Sequence, residues 1–170
     1  MNLTLKSNVR LSDNYGLLVL SPAEGETLPE MQPGQFVQVA IDGSKTTFLR
    51  RPISVNFVDT TANELWLLVR RAGNGTEALL KSENGSVINI VLPLGHGFPM
   101  PESGQNRLLL VGGGVGVAPL LYLGAKLKEA GYDPEFLLGA RSAKDLLELD
   151  EFAKVGTVHV STEDGSMGEK

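Results

Sequence analysis

Residues 107–131 read RLLLVGGGVGVAPLLYLGAKLKEAG. Four apolar residues run without alternation into three consecutive glycines, the pattern of a parallel strand covered on both faces. The residues that follow repeat at helical spacing, carry Pro119 in the first turn and stop at Gly131. Strand, glycine turn and helix in that order open a doubly wound α/β sheet. Downstream, PEFLLGA (134–140) reads as a strand, SAKDLLELDEFAKV (142–155) as an amphipathic helix with a solvated charged face, and TVHVST (157–162) as a strand. The order is βαβαβ, the first half of such a sheet, so residues 101–170 are expected to form a Rossmann-like nucleotide domain that is incomplete at its C-terminal side.

Upstream of about residue 100 the pattern is different. LTLKSNVRL, YGLLVLS, GQFVQVAI, RPISVNFV, ELWLLVRR and SVINIVL are short runs of branched and bulky apolar residues. They are separated by turn chemistry in SPAEGETLPEMQPG, DGSKT (42–46), DTTAN and ENG. Six such strands predict a small antiparallel barrel, since closure removes the exposed edges. One helix interrupts them over 75–82, GTEALLKS, with Thr76 as its N-cap. The expected architecture is therefore a six-stranded antiparallel barrel over residues 1–100, then the α/β domain.

Composition narrows the function classes. The 170 residues carry a net charge of −5 and no basic run, which excludes phosphate-dominated nucleic-acid binding. No apolar run is long enough for a membrane span, and the N-terminus lacks the apolar region of a signal peptide, so a cytoplasmic location is expected. The absence of cysteine rules out disulfides, thiolate metal ligands and thiol nucleophiles within this chain. His96 and His159 stand alone in sequence, and no metal site is expected.

Two stretches carry ligand chemistry. In the first, Gly112, Gly113, Gly114 and Gly116 lie at a strand end before a helix. They do not spell the G-x-G-x-x-G fingerprint, but they let a phosphate or ring approach backbone and a helix N-terminus. A plain βα turn needs only one or two of them. In the second, Gly73, Gly75 and Thr76 open the helix of the barrel half. Two arginine pairs, Arg50–Arg51 and Arg70–Arg71, precede it on strands. Capping alone accounts for the threonine; four cations near it suggest an anion. Arg50 is expected to be a solvated surface charge. Strict alternation puts Arg51 and Ser54 on opposite faces, so Pro52 must mark a bulge or an edge, or Arg51 must curl around.

These motifs together resemble the ferredoxin reductase-type flavoproteins, whose barrels carry an Arg-x-x-Ser strand and whose nucleotide domains open on a glycine-rich stretch ending in Ala-Pro. Arg51, Pro52, Ile53 and Ser54 match the first feature; Gly112 to Gly116 with Ala118 and Pro119 match the second. LLGARSAKDLL resembles the Gly-x-Arg after the second strand, and STEDGSMG the Thr-x-Asp-Gly after the third. Within the family, FLRRPISVNF, GNGTEALL and VLPLGHGF most resemble the electron-transfer subunits of NAD-linked dihydroorotate dehydrogenases of the pyrimidine pathway.

The resemblance implies FAD and NAD as cofactors, and a partner dihydroorotate-oxidising FMN subunit in a heterotetramer. It implies that Arg51 binds the FAD pyrophosphate and that Pro52, Ile53, Leu68, Val69 and Arg70 line the cofactor. Gly75 and Thr76 would donate to its phosphates. Ser54 would stand at the reactive edge of the isoalloxazine as the catalytic residue, while hydride passes between nicotinamide C4 and flavin N5. Gly112, Gly113, Gly114, Gly116 and Pro119 would hold NAD; Arg141 stands where an acid often reads the ribose, leaving NAD against NADP open. The spacing is reasonable, since three residues of strand span roughly 10 Å, about a ribityl chain. Relatives also hold a 2Fe–2S cluster on four C-terminal cysteines; none is present here, and the chain is expected to be truncated before that region. Two other readings fit the same residues: a ferredoxin–NAD(P) reductase-type subunit of another complex, and a non-catalytic barrel binding module.

Overall fold

A computed structural model describes residues 1–41, 47–102 and 107–168. The chain divides into two compact units, Met1–Gly97 and Phe98–Lys170. The predicted DGSKT turn at 42–46 lies outside the described residues.

The first unit contains β1 (Asn2–Arg10), β2 (Tyr15–Ser21), β3 (Phe36–Val39), β4 (Arg51–Ser54), β5 (Phe57–Asp59), β6 (Glu64–Arg70), α1 (Asn74–Leu80) and β7 (Val87–Leu94). Its strands form one antiparallel sheet in the order β4-β3-β7-β1-β2-β6-β5. The end strands β4 and β5 are consecutive in the chain. At the link between them, the Val55 amide donates to Gln35 O and the Asn56 amide donates to Trp66 O, both at 3.0 Å. The sheet is thereby closed into the expected antiparallel barrel. The single run RPISVNFV becomes two strands because at Val55–Asn56 it leaves β3 for β6, which makes seven strands of six. Alternation sends Leu3, Leu5, Leu18, Leu20, Leu65 and Leu67 into a core with no solvent exposure.

The β4 register against β3 has no shift, so there is no bulge at Pro52. Since Val55 donates to β3, parity puts the missing Pro52 N–H on the other, unpaired side, which is where a strand tolerates proline. Arg50 is not the solvated charge expected. Its guanidinium donates to Gln38 O at 3.3 Å, to Asn89 O at 3.0 Å, and to the Asn89 side chain. It ties the approach to β4 onto β3 and β7.

The second unit contains β8 (Leu108–Gly113), a 3-10 turn (Gly114–Val117), α2 (Ala118–Glu129), β9 (Pro134–Ala140), α3 (Leu149–Val155) and β10 (Thr157–Thr162). The parallel order is β10-β9-β8. β9 and β10 match their predicted runs residue for residue. The predicted long helix over 142–155 does not form as one element. A 3-10 turn covers Ala143–Asp145, Glu148 takes a left-handed φ of 55°, and only Leu149–Val155 is α-helical. Leu147 turns into the core at 4% exposure, and the Ala143 amide, which a helix starting at 142 would leave without an intrahelical acceptor, donates to Ser166 Oγ at 2.8 Å. β8 also departs from expectation. Leu110 is buried, but Leu109 and Val111 are 59% and 63% exposed, so one face of the strand is uncovered. The covered face packs Phe136 of β9 edge-on to Phe152 of α3, with ring centroids 4.9 Å apart.

Replacing Arg50 with alanine removes three hydrogen bonds from a part-buried guanidinium. The expected cost is about 1–3 kcal/mol. It should register as a lower thermal midpoint by circular dichroism; an unchanged midpoint would mean the side chain is solvated after all.

Candidate functional site

The four arginines that sequence places in two pairs go to four different surroundings. Arg50 is consumed in the β3–β7 clamp. Arg71 turns back to the β1–β2 hairpin, with Nη2 3.0 Å from Asn14 Oδ1. Arg70 stays exposed at the end of β6. Arg51 is half-buried, and no described residue forms an ion pair or hydrogen bond with its guanidinium. It lies against the start of α1: a Cβ added to Gly75 would be 2.5 Å from Arg51 Nε and 3.1 Å from Thr47 Cγ2. A glycine at position 75 is what permits this close approach of Arg51.

Beside this contact is a cavity of about 320 Å³ walled by Thr47, Arg51, Ala72, Gly73, Asn74, Gly75 and Thr76. α1 starts one residue earlier than predicted, with Gly73 rather than Thr76 at the N-cap. Thr76 is the third helical residue. Its Oγ1 accepts from the Ala72 and Gly73 amides at 2.8 and 3.2 Å and donates to Gly73 O. That hydroxyl is engaged locally, so the group Thr76 offers an anion is its backbone N–H. The first intrahelical bond is from the Glu77 amide to Gly73 O, and the amides of Asn74, Gly75 and Thr76 precede it. Glu77, one residue on, has its carboxyl held below the usual range by the bond from Lys81. Thr47 and Asn74 were missed by motif reading. Asn74 stood inside the quoted GNGT, but nothing local to Thr47 announces that the chain brings it back to Arg51.

The second part of the site is the gap between β4 and β6. Among the described residues β5 pairs with β6 only over Glu64–Trp66, and no strand pairs with the same edge beyond Trp66. Because Trp66 O points to that edge, parity directs the backbone groups of Leu68 and Arg70 there as well. Opposite stands Ser54, half-buried, with a hydroxyl that no described residue binds. Ile53 and Val69 point into the barrel core, at 9% and 0% exposure, so they could meet a ligand only through backbone. Pro52 is exposed. Arg51 and Ser54 thus border two adjoining regions, one lined by a guanidinium and helix-start amides and one a strand edge with no pairing partner among the described residues.

In the second unit the four glycines separate by function. A Cβ on Gly112 would stand 2.7 Å from Leu120 Cδ1 and 3.3 Å from Gly116 O and Val117 Cα, so it would displace the Leu120 side chain and crowd the backbone of the turn, and close packing of α2 on β8 favours glycine there. Gly114 has a φ of 54°, which favours glycine at the turn. Around Gly116 a Cβ would meet nothing within 4 Å, and around Gly113 only Gly139 O at 3.7 Å. Fold requirements leave those two unexplained. Pro119 is the second residue of α2. Arg141, exposed, follows β9, and its carbonyl accepts from the Asp164 amide. Asp164 accepts from both the amide and hydroxyl of Ser166, which hold its carboxyl below the usual range. His159 lies 3.2 Å from Glu135. Among the described residues there is no cluster of metal-ligating side chains, and no helix is long and apolar enough to cross a membrane.

No family model matches the sequence. Individual relatives do. A dihydroorotate dehydrogenase B (NAD(+)) electron transfer subunit from Listeria monocytogenes is 42% identical over 93% of this chain and 61% of its own length. That of Shouchella clausii is 40% identical over 92% of this chain and 60% of its own. This chain is a homologue of those electron transfer subunits. The subunit from Bacillus velezensis is 39% identical over 99% of this chain and 66% of its own length, so the chain spans under two thirds of these relatives. Among solved structures, an NADH-dependent reduced ferredoxin–NADP oxidoreductase is 30% identical with a TM-score of 0.83, covering 99% of this chain and 59% of that one. Phthalate dioxygenase reductase shares the fold at 22% identity and a TM-score of 0.78, over 97% of this chain and 52% of its own.

The glycine partition predicts opposite behaviour for two similar substitutions. Gly112→Ala overpacks α2 against β8 and should destabilise by about 1–3 kcal/mol. Gly116→Ala should leave stability within about 0.5 kcal/mol. Denaturant titration of the two variants checks both.

Proposed function

We propose that the chain is the FAD- and NAD-binding part of a dihydroorotate dehydrogenase electron transfer subunit, passing reducing equivalents between NAD and a partner FMN subunit. The observation that carries the reading is Arg51: a half-buried guanidinium with no anion among the described residues, seated on a glycine at the head of a walled cavity. Burying a cation without a partner is unfavourable, so the arrangement supports an anionic ligand supplied from outside.

The residues fit FAD. Its two phosphates suit Arg51 and the amides of Asn74, Gly75 and Thr76. Its flat ring, whose pyrimidine edge carries several donors and acceptors, suits the slot where Leu68 and Arg70 present unpaired backbone groups. When bound, FAD would supply two-electron chemistry with a nicotinamide nucleotide. The chain's own task is then to bind, orient and tune. Ser54, with a hydroxyl free to donate, would bond at the reactive edge of the ring and bias its redox state. In the second unit, Gly113 and Gly116 leave backbone open at the carboxyl end of β8, where nucleotides bind in parallel sheets, and would admit NAD. The 2Fe–2S cluster of the family does not fit, because this chain has no cysteine to ligate one.

Arg51→Met tests the reading. Loss of a charge-assisted contact of about 1.5–3 kcal/mol should weaken FAD binding by roughly 10- to 150-fold. Flavin fluorescence titration measures this while circular dichroism reports the fold. Unchanged flavin affinity in a folded variant overturns the assignment.

A further inference from the structure

We propose that Phe48, with Leu49 beside it, is the stacking surface for the adenine of the dinucleotide whose phosphates occupy the Arg51 cavity; the inference rests on the flavin reading above. Phe48 is 89% exposed and Leu49 74%, the two most exposed large apolar side chains among the described residues. Exposure of that size on adjacent residues opposes the hydrophobic effect, so a surface that meets them in the working state is expected.

Their backbone is fixed at both sides. Thr47 is 6% exposed and forms a wall of the cavity. Arg50 is pinned to Gln38 and Asn89. The pair therefore stands out between two anchors, presented in advance, which lowers the ordering cost of binding. The cavity itself is walled by threonine, arginine, asparagine, alanine and glycine. It offers one cation, Arg51, and amides to phosphates but no large apolar wall to a purine base. The base must lie beyond the cavity, and Phe48 is covalently next to the lining residue Thr47, with the two Cα atoms about 3.8 Å apart. A purine has two apolar faces, and stacking on an aromatic ring is the usual way to bury one.

FAD and FMN separate this subsite from the rest of the site, because FMN carries the same ring and a phosphate but no adenosine. Both are titrated against the 170-residue chain by fluorescence. Phe48→Ala should weaken FAD about tenfold to a hundredfold and leave FMN within about twofold, and Phe48→Trp should keep FAD affinity. Circular dichroism confirms the fold, which a side chain this exposed does not support. An unchanged FAD affinity, or an equal loss for both flavins, overturns the inference while leaving the flavin reading intact. The same holds if Phe48→Ala binds FAD normally but fails to associate with a dihydroorotate-oxidising subunit, which would make the pair a protein contact. A wild-type chain that binds neither flavin would instead remove the flavin reading itself, and this inference with it.

Discussion

Closure of the barrel through Val55–Asn56 is the constraint on which the first unit depends. Two backbone bonds, to Gln35 on one side and Trp66 on the other, join the ends of a seven-strand order within two residues of chain. The crossing is too short to zip the whole length of the end strands. β5 stops pairing with β6 at Trp66, and beyond it the edge of β6 faces β4 with no pairing among the described residues. A closed barrel normally satisfies every backbone group. Here the seam is satisfied at one end and open at the other, and the open end is the slot assigned to the flavin ring.

The same seam explains the proline. Within an ordinary ladder Pro52 would cost a hydrogen bond, but its missing N–H falls on the open side of β4, where no strand among the described residues pairs with it. A stiff residue there keeps Arg51 and Ser54 at a fixed separation without consuming a donor. Just upstream, the Arg50 clamp to Asn89 fixes where β4 begins. The clamp and the neighbouring free guanidinium are chemically identical side chains. Only their positions relative to β7 and α1 make one structural and the other available to a ligand.

In the second unit, economy of glycine has a comparable logic. Gly112 and Gly114 are required by packing and backbone angle, and would be present in a βα turn that bound nothing. Gly113 and Gly116 have space around them that the fold does not use. A cluster that looks uniform in sequence is therefore two residues of architecture and two that leave backbone accessible.

Periodicity alone determined most of the secondary structure, because strands and helices are stabilised locally by which face they can bury. β9 and β10 follow directly from PEFLLGA and TVHVST, and the change from strand to strand–helix pattern separates the two units. Sequence also singled out Arg51, Gly73, Gly75 and Thr76, which the fold brings to one cavity. Three things needed the tertiary structure. The helix over 142–155 breaks at Glu148, where the backbone turns left-handed and Leu147 is drawn into the core, while Ser166, more than twenty residues away, holds the Ala143 amide. Leu109 and Val111 are exposed although their run looks buried on both faces, since α2 and α3 cover one face. Arg50 is a structural clamp and not the solvated charge that sequence suggests because Asn89 arrives beside it, while Arg51 finds its place against Gly75. Each outcome is decided by a residue distant in the chain, and local pattern carries no information about such neighbours.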